Sequence, residues 1–335
     1  MKAPKISILM PVKNAMPYLK TCIDSILQQN YAHWEIIAVN DSSTDESATV
    51  LQEFANQDAR ISVYENSGNG IIDALKLAYS KSSGTFITRM DADDLMTFDK
   101  LTILANQLMQ FGPGHLAIGQ VKYFSENVLG NGFQQYEQWL NQLSESGNNF
   151  SELYKECVIP SPCWMVFRSD FDACGGFESN WYPEDYDLCF RFYAKGLKII
   201  PAKKIIHHWR DYDHRTSRTH VHYADNRFAE LKCHYFKELH YDKNRKLILW
   251  GAGNKGKTIA KHLQNLEIDF EWTCNNSNKI GHQIYGKVLT HAESVDFDEA
   301  PQIIVAVSNP LEQESIKIKF HQLNMETMKD YFFFC

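Results

Sequence analysis

The sequence predicts an α/β protein built on a doubly wound, largely parallel sheet, followed by a second and smaller α/β domain. Three observations lead there. Short apolar runs rich in β-branched residues alternate with segments whose apolar residues recur at i, i+3, i+4 and i+7, as strand–helix repeats do. Several of these runs stop at polar, acidic loops. The alternation then starts afresh after the polar stretch Asp242-Lys-Asn-Arg-Lys246, with Gly-x-Gly-x-x-Gly behind a new apolar run.

The elements follow in order. Lys5-Ile-Ser-Ile-Leu-Met-Pro11 is an apolar run ended by proline, hence a central strand, and Val12-Lys-Asn-Ala-Met-Pro17 is the loop behind it. Leu19, Cys22, Ile23, Ile26 and Leu27 fall on one helical face. Glu35–Val39 is a second strand, ending in Asn40-Asp-Ser-Ser-Thr-Asp45, which turns and caps a helix over Glu46–Asn56. Ile61–Tyr64 is a third strand, Ser67–Gly70 a turn and Ile71–Lys81 a helix. Thr85-Phe-Ile-Thr-Arg-Met-Asp-Ala-Asp-Asp94 is then a buried strand stopping at three carboxylates, with a helix beginning near Asp99. Leu116–Tyr123 and Pro162–Phe167 read as further strands. Between them, Phe124–Cys157 is a polar, aromatic-bearing insert in which Trp139 is expected to pack in the core. A loop carrying Glu184, Asp185 and Asp187 leads into a helix stopped by Gly196, and Val221–Leu239 reads as another helix.

Composition excludes several classes. The 335 residues are 44% hydrophobic and 22% charged, as in soluble globular chains, and the length suggests two domains. A net charge of −7 argues against nucleic acid as the main partner. No apolar run approaches bilayer-spanning length, and no signal-peptide pattern opens the chain. The eight cysteines form no Cys-x-x-Cys pair, so reduced thiols in a cytoplasmic protein are expected. Peripheral contact with the inner face of the membrane stays open.

Asp91, Asp93 and Asp94 concentrate negative charge at the C-terminal end of a strand, where ligands bind in open α/β sheets. Mg²⁺ is typically held by one or two carboxylates together with substrate phosphates, so a cation carrying phosphate would suit this tip. A solvated acidic turn is the alternative. Likewise, Asp41 reads either as a ligand-facing residue or as turn chemistry, and Asp45 as a helix cap.

Pro11-Val-Lys-Asn14, Val39-Asn-Asp-Ser-Ser-Thr-Asp45, Gly70-Ile-Ile-Asp-Ala-Leu75 and Met90-Asp-Ala-Asp-Asp94 together resemble the linked motifs of family-2 glycosyltransferases, inverting enzymes of the GT-A fold. The resemblance covers roughly residues 5–220. It implies a transfer from a nucleotide-diphosphate sugar, a UDP-sugar foremost, to a hydroxyl on a glycan or lipid-linked acceptor, in bacterial surface polysaccharide or glycoconjugate synthesis. It implies nucleotide contacts from Pro11, Val12, Asn14, Asp41, Asp73 and Asp91, and Mn²⁺ or Mg²⁺ on Asp93. It also implies that Asp185 is the catalytic base and Glu184 orients the acceptor, while Asp187 caps or braces the loop. The Lys204–Arg218 stretch, following a strand, resembles a Trp-Arg-Asp…Arg-x-Ser-Arg element of bacterial members. By that likeness His208 is a metal ligand, with His207 and His214 as alternatives, and Arg210, Arg215 and Arg218 meet the diphosphate or order the loop. One departure is Leu75-Lys76, where many relatives carry Asn or Arg. A nucleotidyltransferase would instead carry a glycine-rich basic loop after the first strand, and a catalytically silent nucleotide-sugar-binding scaffold would use the second domain for assembly.

The expected domains are 1–240, of GT-A type, and 246–335, Rossmann-like. In the second, Leu247–Trp250 is a strand, Gly251-Ala-Gly-Asn-Lys-Gly256 a glycine-rich turn, and the next strand ends in Cys274-Asn-Asn276, where NAD binding needs an acidic residue. A nonredox ligand, a partner surface or a structural role is expected there ahead of NAD.

Overall fold

The computed structural model describes residues 3–125, 130–212 and 228–335. Residues Met1–Asn149 with Val158–Arg218 form one compact unit, and Phe150–Cys157 with Thr219–Cys335 form another.

In the first unit the chain runs β1 (Ile6–Val12), α1 (Leu19–Leu27), β2 (Trp34–Asn40), α2 (Ser47–Gln57), β3 (Ile61–Glu65), α3 (Ile71–Lys81), β4 (Phe86–Arg89) and β5 (Leu95–Met96). It continues with α4 (Lys100–Phe111), β6 (His115–Phe124), α5 (Asn131–Ser146), β7 (Trp164–Phe167), α6 (Arg168–Ala173), α7 (Glu184–Ala194) and β8 (Lys198–Arg210). Eight strands form one sheet in the order β3-β2-β1-β4-β7-β6-β8-β5. β3, β2, β1 and β4 are parallel, as the alternation predicts. The sheet then becomes mixed: β7 runs antiparallel to β4 and β6, and β5 antiparallel to β8.

Burial explains why these segments are strands and helices. Ile6, Ile8, Leu9 and Met10 of β1 have no exposed surface, and neither do Leu19, Cys22, Ile23 and Ile26 of α1. Each such aliphatic side chain stabilises the fold by about 1.5–3 kcal/mol relative to exposure. Trp139 is partly buried against the same core, so packing is its observed role. Lys204–Arg210 lies within β8 rather than after a strand. Its alternating burial accounts for that, since Ile206, His207 and Trp209 are buried while His208 and Arg210 are half-buried.

The second unit contains α8 (Ala229–Leu239), β9 (Leu247–Trp250), α9 (Asn254–Asn265), β10 (Glu271–Cys274), β11 (Gln283–Ile284), β12 (Lys287–His291), β13 (Gln302–Val305), α10 (Pro310–Gln322) and β14 (Tyr331–Phe333). Its sheet has the order β11-β12-β10-β9-β13-β14, parallel except for the β11–β12 hairpin. α8 precedes the polar stretch expected to divide the domains, yet it groups with this unit. Phe236 explains the grouping, packing edge-on against Phe332 at 5.0 Å. Tyr154 joins the same cluster, stacked on Phe334 at 4.9 Å.

Candidate active site

The parallel register places three loops along one edge of the first sheet. β1 pairs with β2 up to Val12↔Asn40 and with β4 up to Leu9↔Arg89, so the segments after Val12, Asn40 and Arg89 emerge together. Pro11 is half-buried opposite Val39, and Val12 is buried. Asn14 takes a positive φ of 49°, and its Oδ1 accepts from the backbone N–H of Thr44 at 2.7 Å. Its own N–H donates to Ser43 Oγ at 3.0 Å. The loops after β1 and β2 are thereby stitched into one surface.

Asp41 is 4% exposed at the centre of that surface. Lys13 Nζ donates to it at 3.1 Å, Asn66 Nδ2 at 2.6 Å and the Gly70 N–H at 3.1 Å. Burial by itself would raise its carboxyl, but those donors outweigh it and hold the group below the usual carboxylate range. Asp73, in the first turn of α3, accepts from the Asn69 N–H at 2.9 Å. The 66–73 segment therefore hangs on two aspartates.

At the end of β4 the three carboxylates separate. Asp91 Oδ1 accepts from Arg89 Nε at 3.0 Å and lies 2.9 Å from Nη2. Asp93 Oδ2 accepts from the Tyr212 hydroxyl at 2.9 Å, and its carbonyl from Arg210 Nε at 2.8 Å. The Arg210 guanidinium lies over Tyr18 at 4.4 Å and Phe124 at 4.5 Å, so it orders the loop from between two rings. Asp94 turns inward with no exposed surface; its Oδ1 accepts from the Arg210 N–H at 2.8 Å, and its Oδ2 lies 3.0 Å from His207 Nε2. Lys100 Nζ approaches His207 Nδ1 at 3.1 Å and donates to the Pro162 carbonyl at 2.5 Å. With Lys100 donating to Nδ1, the ring presents Nε2–H to Asp94. Burial lowers the pKa of Lys100, opposed by Cys163, Asp94 and Asp91.

Arg89 is 5% exposed and carries the tip to a second acidic element. Its Nη1 donates to Glu184 Oε1 at 2.8 Å, at the start of α7. Burial works against its charge, but Asp91, Glu184 and Asp185 outweigh that and raise its pKa. Asp185, half-buried beside Glu184, has its carboxyl pushed up to about 7, by burial first and then by the Glu184 charge, with Arg89 opposing. Asp187, 1% exposed, receives Arg191 Nε at 2.8 Å, and Arg191 Nη1 also donates to the carbonyls of Cys174 at 2.7 Å and Gly176 at 2.6 Å. That pair braces the loop before α7.

The structure thus gathers Pro11, Val12, Asn14, Asp41, Asp73 and Asp91 at one set of loops, and links Asp91 through Arg89 to Glu184 and Asp185. His208 sits on the face of β8 opposite His207, edge-on to Phe124 at 6.2 Å, its pKa lowered by burial and by Lys122. Arg215, Arg218 and His214 lie outside the described residues. Among the described residues no group of three or more His, Cys, Asp or Glu side chains is arranged to hold a metal ion. Charge repulsion alone does not call for one either, because Asp91 and Asp94 have their own partners. The donor set still suits a hard cation: Mg²⁺ and Mn²⁺ need only one or two protein carboxylates when phosphates and water complete the shell. The residues that sequence reasoning missed are Arg89, Lys100 and Tyr212. The first had a visible signal, a cation inside an apolar strand; the other two had none.

A family model described as Glycosyl transferase family 2 matches residues 7–175. Glycosyltransferase GlyG of Streptococcus pneumoniae is 36% identical over 204 residues, covering 58% of this chain and 67% of that protein. Glycosyltransferase GlyA of the same organism is 28% identical over 214 residues, covering 62% of this chain and 30% of the relative. The chain spans under a third of the length of several such curated relatives. Among solved structures, Staphylococcus aureus TarS in complex with UDP-GlcNAc aligns with a TM-score of 0.54 at 14% identity, covering 77% of this chain and 71% of that one. A Pyrobaculum calidifontis mannosyltransferase in complex with GDP-Man and Mn²⁺ aligns at 0.51 and 18% identity, covering 70% and 64%. These likenesses establish the GT-A type of fold for the first unit. Among the described residues no helix is long and apolar enough to cross a membrane.

Proposed function

The chain belongs to glycosyl transferase family 2, and from that premise we propose that it is a metal-dependent, inverting glycosyltransferase using a nucleotide-diphosphate sugar. The observation that carries the reading is the Arg89 bridge, which joins the acidic tip of β4 to the first turn of α7 through contacts of 2.8–3.0 Å. Donor-side and acceptor-side carboxylates are thereby held in one electrostatic cluster.

In this reading the nucleotide lies over the loops carrying Pro11, Val12, Asn14, Asp41, Asp73 and Asp91, and Asp93 would hold Mn²⁺ or Mg²⁺. His208 is the described histidine proposed to assist, because His207 has both ring nitrogens engaged. When bound, such an ion stabilises the charge that develops on the departing diphosphate. Asp185 removes the proton of the acceptor hydroxyl as that oxygen bonds to the anomeric carbon, and the bond to the nucleotide diphosphate breaks on the opposite face. An α-linked donor then gives a β-linked product. A base is most effective when its pKa lies near the working pH, and a carboxyl at about 7 meets that condition. Glu184, held by Arg89, orients the acceptor, and Arg210, Arg215 and Arg218 serve the diphosphate or the loop over it.

A nucleotide-sugar donor is supported by the UDP-GlcNAc in the TarS structure and the GDP-Man in the mannosyltransferase, and a UDP-sugar is the first donor proposed. A role in surface polysaccharide synthesis is supported by the likeness to TuaG of Bacillus subtilis, named as a candidate teichuronic acid biosynthesis glycosyltransferase, 37% identical over 101 residues that cover 29% of this chain and 39% of that protein. Within that role the acceptor is proposed to be a glycan or lipid-linked hydroxyl, met at the cytoplasmic face. The test is release of nucleoside diphosphate from a panel of nucleotide-sugars with Mn²⁺. Turnover that depends on both Asp93 and Asp185, with donor binding kept in Asp185→Asn, supports the reading. Equal turnover in wild type, Asp93→Ala and Asp185→Asn removes it.

A further inference from the structure

The glycine-rich loop of the second unit plays no part in the proposed transfer, and packing explains only two of its three fingerprint glycines. Gly251 has a φ of +120°, and a Cβ there would lie 2.8 Å from the Ala306 carbonyl oxygen. A Cβ on Gly256 would lie 2.1 Å from the Gly251 carbonyl oxygen, so that glycine lets α9 press against β9. Gly253 is different. Its φ of −77° suits any residue, and a Cβ on it would meet nothing within 4 Å. The fold places no demand on Gly253, but a ligand approaching the backbone would.

Gly253 opens onto a cleft of about 300 Å³ at the C-terminal ends of β9, β10 and β13. β9 lies between β10 and β13, so the cleft occupies the point where the strand order reverses, the usual ligand position in open α/β sheets. The charge pattern independently favours an anion. α9 starts with no side-chain cap and no acidic residue in its first turn, which instead carries Lys255 and Lys257. Cations at the positive end of a helix are unfavourable until an anion offsets them. α10, at the same end of the sheet, shows the contrast: Asn309 Oδ1 accepts from the N–H groups of Leu311 and Glu312. Of the cleft's charged side chains, Lys255 and Lys279 are cationic and Glu312 is the acid, the last receiving Asn275 Nδ2 at 3.4 Å.

We infer that this cleft is a second ligand site, for a phosphate-bearing small molecule of mononucleotide or sugar-phosphate size, with the phosphate on the Gly251–Gly256 loop. A dinucleotide fits poorly. The volume is at the bottom of the roughly 300–1,000 Å³ range for ligand pockets. β10 ends in Cys274-Asn275-Asn276 without the carboxylate that holds a ribose diol, and Lys279 Nζ reaches across to the Ala252 carbonyl at 2.8 Å.

Gly253→Asp tests the inference without breaking the fold. The new carboxylate enters open space, caps α9 as aspartate does at helix starts, and occupies the place of the anion. Calorimetric titrations of the full chain in EDTA would use UMP, UDP, AMP, glucose 1-phosphate, inorganic phosphate and NAD⁺. Wild type should bind at least one mononucleotide or the sugar phosphate below millimolar concentration. Affinity should fall at least tenfold in Gly253→Asp and severalfold in Lys255→Gln, and hold within twofold in Asp41→Asn, which perturbs the first unit. Unliganded Gly253→Asp should melt at or above the wild-type temperature. A preference for UMP or AMP over glucose 1-phosphate identifies a nucleotide, and the reverse a sugar phosphate. The inference is overturned by no binding to wild type, by binding of inorganic phosphate alone, by tightest binding of NAD⁺, or by affinity that survives Gly253→Asp.

Discussion

Replacing Arg89 with methionine should damage the first unit in two separable ways. Arg89 is 5% exposed, and its guanidinium makes ion pairs of 2.8 Å with Glu184 and 2.9 Å with Asp91. Glu184 has a side chain only 7% exposed, so losing the arginine leaves a buried charge without its cation. Breaking a buried pair from one side costs about 3–5 kcal/mol. For a domain of roughly 150–250 residues each kcal/mol is about 2–4 °C, so the melting temperature should fall by roughly 6–20 °C. The second effect is on pH dependence. Asp185 must be ionised to act as a base, so kcat/KM should rise with pH through its pKa of about 7. Arg89 is the larger of the two influences that oppose the rise in that pKa, ahead of the Tyr186 N–H. Its loss should move the acid limb upward by about one to three pH units, the range for a lost opposite charge. Arg89→Lys, which keeps the charge, should recover much of the pH profile, and adding Glu184→Gln to Arg89→Met should move the limb back down. Thermal melts and pH–rate profiles of the wild type and these three variants decide it. If Arg89→Met melts within 2 °C of wild type and keeps its acid limb, the bridge does not hold the site as argued.

Three further outcomes are expected. Asp185→Asn should lose turnover by about 10²–10⁴-fold while donor affinity, read by titration with the nucleotide diphosphate, stays within about twofold. Asp41→Asn should lower stability by about 1–3 kcal/mol at neutral pH, because the donors around Asp41 favour its charged form. Since the folded carboxyl is held below its ordinary value, that difference is full above the ordinary carboxylate pKa and shrinks as pH falls through the lowered one; a difference that grew on acidification would contradict the assignment. Lys100→Met should cost about 3–5 kcal/mol in urea denaturation, since Lys100 is wholly buried against His207 and the Pro162 carbonyl. A loss under 1 kcal/mol would mean the ammonium is not the counter-charge of that cluster.

Most of the first sheet was legible because its strands are buried on both faces and read as continuous apolar runs. Ile71–Lys81 was placed to the residue. Direction was not legible: nothing in Trp164–Phe167 says that β7 runs antiparallel, because an apolar run reads alike whichever way the chain passes. β5 and β11 have two residues each, too few to carry a period. For the candidate site, residue types were readable and their partners were not. Asp94 looked equivalent to Asp91 and Asp93, yet it turns inward to His207. Lys100, one residue after the expected helix start near Asp99, carried no sequence signal of its burial and lies wholly buried. That His207 and His208 face opposite ways needed the knowledge that β8 runs to Arg210, since strand alternation then sends adjacent side chains to opposite faces.

The three aspartates illustrate how a fold assigns different tasks to like residues a step apart. Asp94, with no exposed surface, is consumed by Arg210 N–H and His207, and Lys100 stands behind the imidazole. It fixes the turn and has no freedom to follow a substrate. Asp91 is 21% exposed and tied to a guanidinium that serves Glu184 as well, so any ligand that engages Asp91 also alters the field at α7. Asp93 accepts a hydrogen bond from the neutral hydroxyl of Tyr212, whose ring packs on Tyr18 at 4.9 Å, beside the stacked Arg210. The three carboxylates thus differ in the partners named for them: a backbone N–H and an imidazole for Asp94, a shared guanidinium for Asp91 and a phenol for Asp93. The chemistry of the partners behind the loop, and not proximity in sequence, is what gives these like residues different surroundings.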